Sequence, residues 1–213
     1  MIKYYFKYVA YLIVATVVIS ANAGAYEDFY QAVGRDDERT VSQLLQRGFD
    51  PNSRSPEGQT GLHLALRDTS PRVADTLWAH PGLDVNALNA AGESPLMMAA
   101  LRGDLAWAQR LIDRGARLEV PGWTPLHYAA TGPETKMVAL LLDKGAAIEA
   151  RSPNKTTPLM MASRYGPESS VDLLLARGAN WKLRNDLDLD AAAFARLASR
   201  EALTRRLEAL LPR

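Results

Sequence analysis

The chain contains no cysteine among its 213 residues. Disulfides therefore cannot stabilise it, and both thiolate catalysis and lipoprotein acylation at a cysteine are excluded. An excess of charge of one sign is also lacking, because 25 Lys and Arg residues are balanced by 24 Asp and Glu residues. This balance gives no electrostatic reason to bind nucleic acid or an anionic membrane, so we expect neither as a partner.

Signatures of catalysis and metal binding are also scarce. The sequence has no Gly-x-Ser-x-Gly elbow, no phosphate-binding glycine loop and no His-Glu-x-x-His helix. The acidic run from Asp186 to Asp190 resembles the start of an EF-hand loop, but Ala191 and Leu197 stand where that loop needs Gly and Glu. We expect no enzyme activity, metal site or cofactor, and an envelope enzyme or metal-binding protein is the alternative from another class.

The first 23 residues differ from the rest of the chain. Lys3 and Lys7 precede an apolar stretch over residues 9–23, in which Ala21 and Ala23 fit the small-x-small pattern of a cleavage site. A helix over that stretch would reach about 22 Å, which is short of the roughly 30 Å hydrocarbon core of a bilayer. We predict a signal peptide cleaved after Ala23 and no membrane attachment afterwards, with a retained membrane anchor as the alternative.

A short motif recurs along the rest of the chain with a period of about 33 residues. Thr124-Pro125-Leu126 and Thr157-Pro158-Leu159 share it, Ser94-Pro95-Leu96 differs in one residue, and Thr60-Gly61-Leu62 is a weaker copy. The hydroxyl of the first residue can cap the first turn of a helix, and proline fits the first helical position. A fixed period of this size indicates one structural unit stacked on copies of itself.

In four units the second helix is predicted to end in a cation followed by glycine, whereas the unit starting at Thr60 ends in His80-Pro81-Gly82. The four endings are Arg47-Gly48, Arg114-Gly115, Lys144-Gly145 and Arg177-Gly178. Glycine just past a helix end adopts the left-handed conformation without a Cβ clash, and the cation faces the negative end of the helix dipole. Each repeat is therefore predicted to contain a pair of helices.

These features resemble those of the ankyrin-repeat family. Residues 124–130 contain the T-P-L-H-x-A signature of that family, and residues 140–146 match the end of its second helix. The resemblance covers residues 26 to 211. It implies an all-α solenoid of stacked helix pairs with short β-hairpin fingers and degenerate capping repeats at both ends. We predict one ankyrin-repeat domain over residues 24–213, with an N-terminal cap from about 26, clear repeats starting at about 60, 94, 124 and 157, and a C-terminal cap from about 190.

His63 and His127 occupy equivalent positions two repeats apart. At about 8–10 Å per helix layer they should lie about 20 Å from each other, which is too far to share a metal. The resemblance implies that each bonds locally to the hydroxyl of Thr60 or Thr124. Met97 and Met160 replace this histidine in the other two repeats, and we expect the hydrogen bonds to be lost there.

Two fingers depart from the period. Ser94 and Thr124 lie closer together in the sequence than the other repeat starts, which predicts a shortened finger just before Trp123. In the next finger, Lys155 stands where the repeat calls for glycine and a positive φ.

In the ankyrin family, partners bind to the finger tips and to the exposed face of the first helix of each pair. Mapping that surface onto this chain predicts a strip of aromatic, methionine and arginine side chains, the types enriched in interface cores. Its members are Met98, Leu101, Arg102, Trp123, Tyr128, Met161, Arg164 and Tyr165. The alternative for Met98, Leu101 and Met161 is that they only pack between neighbouring helices.

The predicted function is a non-catalytic scaffold in the bacterial periplasm that binds a protein partner in its concave groove. Among bacterial proteins that this chain resembles, some are associated with catalase and peroxide defence and others with immunity to secreted toxins. The residues do not select between these two roles.

Overall fold

The computed structural model describes residues 24–210, which form twelve helices. The predicted cleavage site at Ala21 and Ala23 lies outside the described residues. Within 24–210, none of the helices has both the length and the apolar character needed to cross a bilayer. The described chain divides into two compact units, one up to Leu83 and one from Asp84 onward.

The N-terminal unit contains four helices. They are α1 over 24–34, α2 over Glu38–Gln46, α3 over Gly61–Asp68 and α4 over Pro71–Trp78. Helix α4 packs against both α2 and α3. Each helix buries one apolar face, with Phe29, Val41, Leu62 and Leu77 fully enclosed.

The C-terminal unit contains four helix pairs. They are α5 (Pro95–Arg102) with α6 (Leu105–Asp113), α7 (Pro125–Thr131) with α8 (Thr135–Asp143), α9 (Pro158–Tyr165) with α10 (Glu168–Ala176), and α11 (Ala191–Leu197) with α12 (Glu201–Glu208). The first helices of successive pairs pack on one another in the order α5, α7, α9, α11, and α8 packs against α6 and α10. This is the stacking that the sequence period predicts.

The predicted helix boundaries are confirmed. Thr60, Ser94, Thr124 and Thr157 are the N-caps of α3, α5, α7 and α9. The glycines after the second helices, Gly48, Gly115, Gly145 and Gly178, have φ between 90° and 95°. Only a residue without Cβ takes this conformation at little cost, which explains why glycine recurs after these four helices.

The expected loss of hydrogen bonds at Met97 and Met160 is wrong. The backbone N–H of Ser94 lies 3.3 Å from the sulfur of Met97, and that of Thr157 lies 3.4 Å from the sulfur of Met160. A thioether sulfur is a weak acceptor, so methionine retains one bond of the repeat histidine while filling the buried position. Sequence reasoning missed this because it treated methionine as purely apolar.

The fingers close with only a few backbone bonds, and the described residues contain no strand ladder beyond an isolated bridge between Arg54 and Thr60. In four fingers a backbone N–H donates to the carbonyl four residues ahead at 2.7–3.0 Å. The donors are Ser55, Asn89, Ser152 and Asn185. The predicted β-hairpins are therefore tight turns, because each finger is too short to form a ladder.

The predicted shortening of the finger before Trp123 is confirmed. Between residues 116 and 124 the described chain forms no backbone bond equivalent to the four others. The Glu119 carboxylate instead accepts from the backbone N–H of Ala147, 2.8 Å away in the next repeat. Beside this shortened finger, the indole of Trp123 is partly exposed.

Lys155 adopts the positive φ that the repeat predicts, at 61°, and its ammonium lies 2.6 Å from Asp186. A side chain in this conformation costs about 1–2 kcal/mol.

Replacing Lys155 with glycine removes this strain and also removes the exposed ion pair with Asp186, which contributes less. Lys155→Gly should therefore raise the free energy of unfolding by about 1 kcal/mol. Lys155→Ala is the matched control, since it removes the pair and keeps the strain. Thermal melts of the three proteins would refute the strain if glycine and alanine gave the same midpoint.

Candidate functional site

A surface cavity of about 200 Å³ opens where the shortened finger meets α7. Its walls come from three successive first helices and from the finger. The lining residues are Leu101, Trp123, His127, Tyr128, Thr131 and Met161. We call it the Trp123 cavity.

His127 anchors the floor of the Trp123 cavity. Its Nδ1 accepts from the backbone N–H of Thr124 at 3.1 Å, and its Nε2–H donates to the carbonyl of Thr156 at 2.9 Å. Burial lowers the pKa of His127, so the ring is neutral at neutral pH. The indole of Trp123 packs against this imidazole edge-on, with ring centroids 5.2 Å apart, which fixes the tryptophan on a rigid support.

Tyr128 forms the opposite wall. Its hydroxyl donates to the carboxylate of Glu93 at 2.5 Å, which ties α7 to the finger of the preceding repeat. Burial first, and the Glu93 carboxylate second, raise the pKa of Tyr128 above its ordinary value, so the phenol stays protonated. The flat face of the ring is therefore held in place and remains uncharged.

The structure brings together four of the eight predicted binding residues. Leu101, Trp123, Tyr128 and Met161 line the Trp123 cavity. The other predicted residues lie outside it. Arg102 is in the last turn of α5, and the guanidinium of Arg164 lies 5.0 Å from the ring centre of Tyr165, which is 53% exposed.

The prediction that Met98 contributes to the contact surface is wrong. Only 3% of Met98 is exposed, because the side chain packs inside the stack. The assignment failed because the period places Met98 and Tyr128 at equivalent positions. Tyr128 extends beyond the helix surface, whereas the side chain of Met98 folds into the interior.

The three aspartates of the run from Asp186 to Asp190 each have a structural partner. Asp186 pairs with Lys155, Asp188 pairs with Arg184, and Asp190 caps α11 by accepting from the backbone N–H of Ala193. Among residues 24–210 no group of three metal-ligating side chains is assembled. This run therefore closes a finger and starts the last pair of helices.

Two features of the structure are not evident from the sequence as parts of a site. Thr131 and Glu93 map to the inner face without an assigned role. In the structure, Thr131 lies in the wall of the Trp123 cavity and Glu93 accepts the hydrogen bond from Tyr128.

The N-terminal unit also holds a larger cavity with Tyr26 and Tyr30 in its wall. The only sequence signal for that cavity is the pair of tyrosines one helical turn apart.

Comparison with known protein families identifies the class. The ankyrin-repeat model of three copies matches residues 29–121 and 108–185. The chain belongs to the ankyrin-repeat family.

Several curated proteins are similar over the repeats. Rabankyrin-5 of Mus musculus is 29% identical over 148 residues, which cover 67% of this chain and 13% of that protein. Neurogenic locus notch homolog protein 4 of Homo sapiens is 33% identical over 148 residues, which cover 62% of this chain and 7% of that protein. The chain thus spans a small fraction of these relatives, so the similarity concerns the repeats alone.

A solved structure is similar over nearly the whole of both chains. It is that of the predatory endopeptidase Bd0816 from Bdellovibrio bacteriovorus in complex with immunity protein Bd3460. The TM-score is 0.72 with 25% identity, and the match covers 86% of this chain and 98% of the matched chain. The ankyrin-repeat fold is therefore shown by structure as well as by sequence.

Proposed function

We propose that the protein is a non-catalytic periplasmic scaffold that binds another exported protein through the Trp123 cavity. The observation that carries this proposal is the cavity itself, with an indole and a phenol held rigid beside apolar side chains. Aromatic anchors in a desolvated pocket are typical of the centres of protein interfaces. Ankyrin repeats are interaction modules, and two partly exposed aromatic side chains of this chain lie together on the surface through which the family binds partners.

The volume of the cavity indicates what it accepts. An apolar cavity of about 150 Å³ is sufficient to hold a benzene ring. The Trp123 cavity, at about 200 Å³, can therefore receive one large apolar or aromatic side chain of a partner. The remaining contact surface would surround that anchor and exclude water from it.

A second candidate function is immunity, in which the protein blocks an enzyme of the cell envelope or a secreted toxin. The similar chain comes from a complex between an endopeptidase and an immunity protein. That likeness favours an inhibitory partnership over a role in peroxide defence, for which the structure offers no corresponding observation.

Affinity capture tests the proposal. The protein without residues 1–23 is immobilised and exposed to a periplasmic extract, alongside a Trp123→Ala variant on a second matrix. We expect a partner that the first matrix retains and the second does not. Equal retention by both matrices would place the interface elsewhere. If the captured protein is a hydrolase, adding the scaffold at stoichiometric amounts should inhibit it in the immunity role and leave it active otherwise.

Export can be tested separately. Because the apolar stretch over residues 9–23 is short and ends in Ala21-Asn22-Ala23, we expect cleavage after Ala23. N-terminal sequencing of the protein from its native envelope should then begin at Gly24. Intact protein that starts at Met1 in the membrane fraction would instead indicate a retained anchor.

A further inference from the structure

A second cavity lies within the N-terminal unit and shares no residue with the Trp123 cavity. Its volume is about 800 Å³, which falls in the size range of sites that bind small ligands or short peptide segments. The wall is formed by α1, α3 and the finger between α2 and α3. The aromatic and polar residues that matter for recognition include Tyr26, Glu27, Tyr30, Glu57, Gln59 and Arg67, and Pro56 and Leu64 add apolar surface.

The aromatic part of this cavity is rigid. Tyr26 and Tyr30 lie one turn apart on α1, with ring centroids 5.0 Å apart and ring planes tilted by 57°. The Tyr30 hydroxyl donates to the carbonyl of Ser53 at 2.6 Å and lies 3.2 Å from the carbonyl of Gln59, which ties the helix to the finger. The cavity therefore presents fixed aromatic surface at little entropic cost to a ligand.

The charge of the cavity wall is negative. Arg67 forms a two-pronged ion pair with Asp68, at 2.7 and 2.8 Å, so its charge is already balanced by a neighbour. Glu27 and Glu57 then contribute two carboxylates. A hydrogen bond from the Ser55 side chain lowers the pKa of Glu57 and so favours its charged form.

We propose that this cavity binds an arginine or lysine side chain on an extended segment of a protein partner. Tyrosine faces attract a cation through the ring quadrupole, and a nearby carboxylate adds a charge-assisted hydrogen bond. An arginine satisfies both, because its planar guanidinium stacks on a ring while its edge pairs with a carboxylate. The inference depends on the proposed function only in taking a protein as the carrier of this cation.

The test uses the purified protein and short capped peptides, so it needs no identified partner. The probes are Gly-Gly-X-Gly-Gly peptides in which X is arginine, lysine, citrulline, norleucine or glutamate. Citrulline is the matched control, because it keeps the shape of arginine and lacks its charge. We expect the arginine and lysine peptides to shift the NMR signals of Tyr26 and Tyr30, with dissociation constants on the order of millimolar. The citrulline peptide should bind at least fivefold more weakly.

Variants of the protein locate the effect. Glu57→Gln should weaken binding of the arginine peptide at least threefold, and Tyr26→Leu, which keeps apolar volume but removes the aromatic face, should do the same. Glu201→Gln changes the net charge equally at an exposed carboxylate on α12 and should leave binding unchanged. Circular dichroism would check that each variant is folded.

Four results would overturn the inference. The first three are equal binding of the citrulline and arginine peptides, binding that Glu57→Gln does not change, and peptide-induced shifts only at Trp123 and Tyr128. Stronger binding of the norleucine peptide would also overturn it and would assign the cavity to an apolar segment. None of these results contradicts capture of a partner through the Trp123 cavity, so the two proposals fail independently.

Discussion

Gly166→Ala is expected to lower the free energy of unfolding by about 3 kcal/mol, near the upper end of what overpacking usually costs. Gly166 ends α9 with φ −83° and ψ 170°, a conformation open to any residue. A Cβ there would overlap the carbonyl oxygen of Ala130 and lie 3.1 Å from the Cα of Ala162. Both obstacles are backbone atoms, so α7 and α9 would have to separate. The melting temperature should fall by roughly 6–12 °C.

Two other glycines provide the controls. Gly34 lies at the end of α1 with no atom near the position of a Cβ, so Gly34→Ala should be neutral or slightly stabilising. Gly178 has φ 90° and an equally open surrounding, so Gly178→Ala should cost only the strain of about 1–2 kcal/mol. Calorimetric melts that ranked Gly178→Ala below Gly166→Ala in stability would show that helix spacing tolerates a methyl group here.

Trp123→Ala and Tyr128→Ala are each expected to weaken partner binding at least tenfold. Removal of a central aromatic anchor typically costs an interface about 2–4 kcal/mol. Tyr165→Ala is the comparison, because this tyrosine belongs to the predicted strip but is exposed on α9 outside the Trp123 cavity, where contacts at the rim of an interface contribute little. Its removal should change the affinity by less than threefold.

Stability must be measured on the same aromatic variants. Circular dichroism and thermal melting should stay near those of the wild type, since both rings are partly exposed. Tyr128→Phe keeps the ring and loses only the bond to Glu93, so it separates the contact surface from that hydrogen bond. Unfolding of Trp123→Ala would mean that the indole belongs to the core. Equal binding by all variants would instead place the interface on the second helices of the pairs, α6, α8 and α10.

The fold could be predicted closely because its signals are local and recur. Thr124 as a cap, Pro125 at the first helical position and Gly145 past the helix end each act within one turn of chain. The same capping and helix-ending residue types then recur in successive repeats. Lys155 could be identified for the same reason, because a position that requires positive φ in one repeat requires it in the next.

The site could be predicted less completely because exposure depends on side-chain packing between repeats. Trp123 is identifiable because the spacing between repeats reveals a missing piece of finger. The prediction placed Met98 on the surface wrongly, because a position along a helix gives the location of Cα but does not show whether a long side chain turns inward. The cavity beside Tyr26 and Tyr30 escapes sequence reasoning because it forms between a degenerate first helix and a finger distant in sequence.

The central claim is that the protein binds its partner through the Trp123 cavity. Hydrogen–deuterium exchange, measured on the protein alone and on its complex with the captured partner, tests this claim most directly. We predict slower exchange over residues 121–131 and 158–165 in the complex, where the finger, α7 and α9 surround the cavity. Slower exchange confined to the outer helices α6, α8 and α10, with residues 121–131 unchanged, would contradict the account.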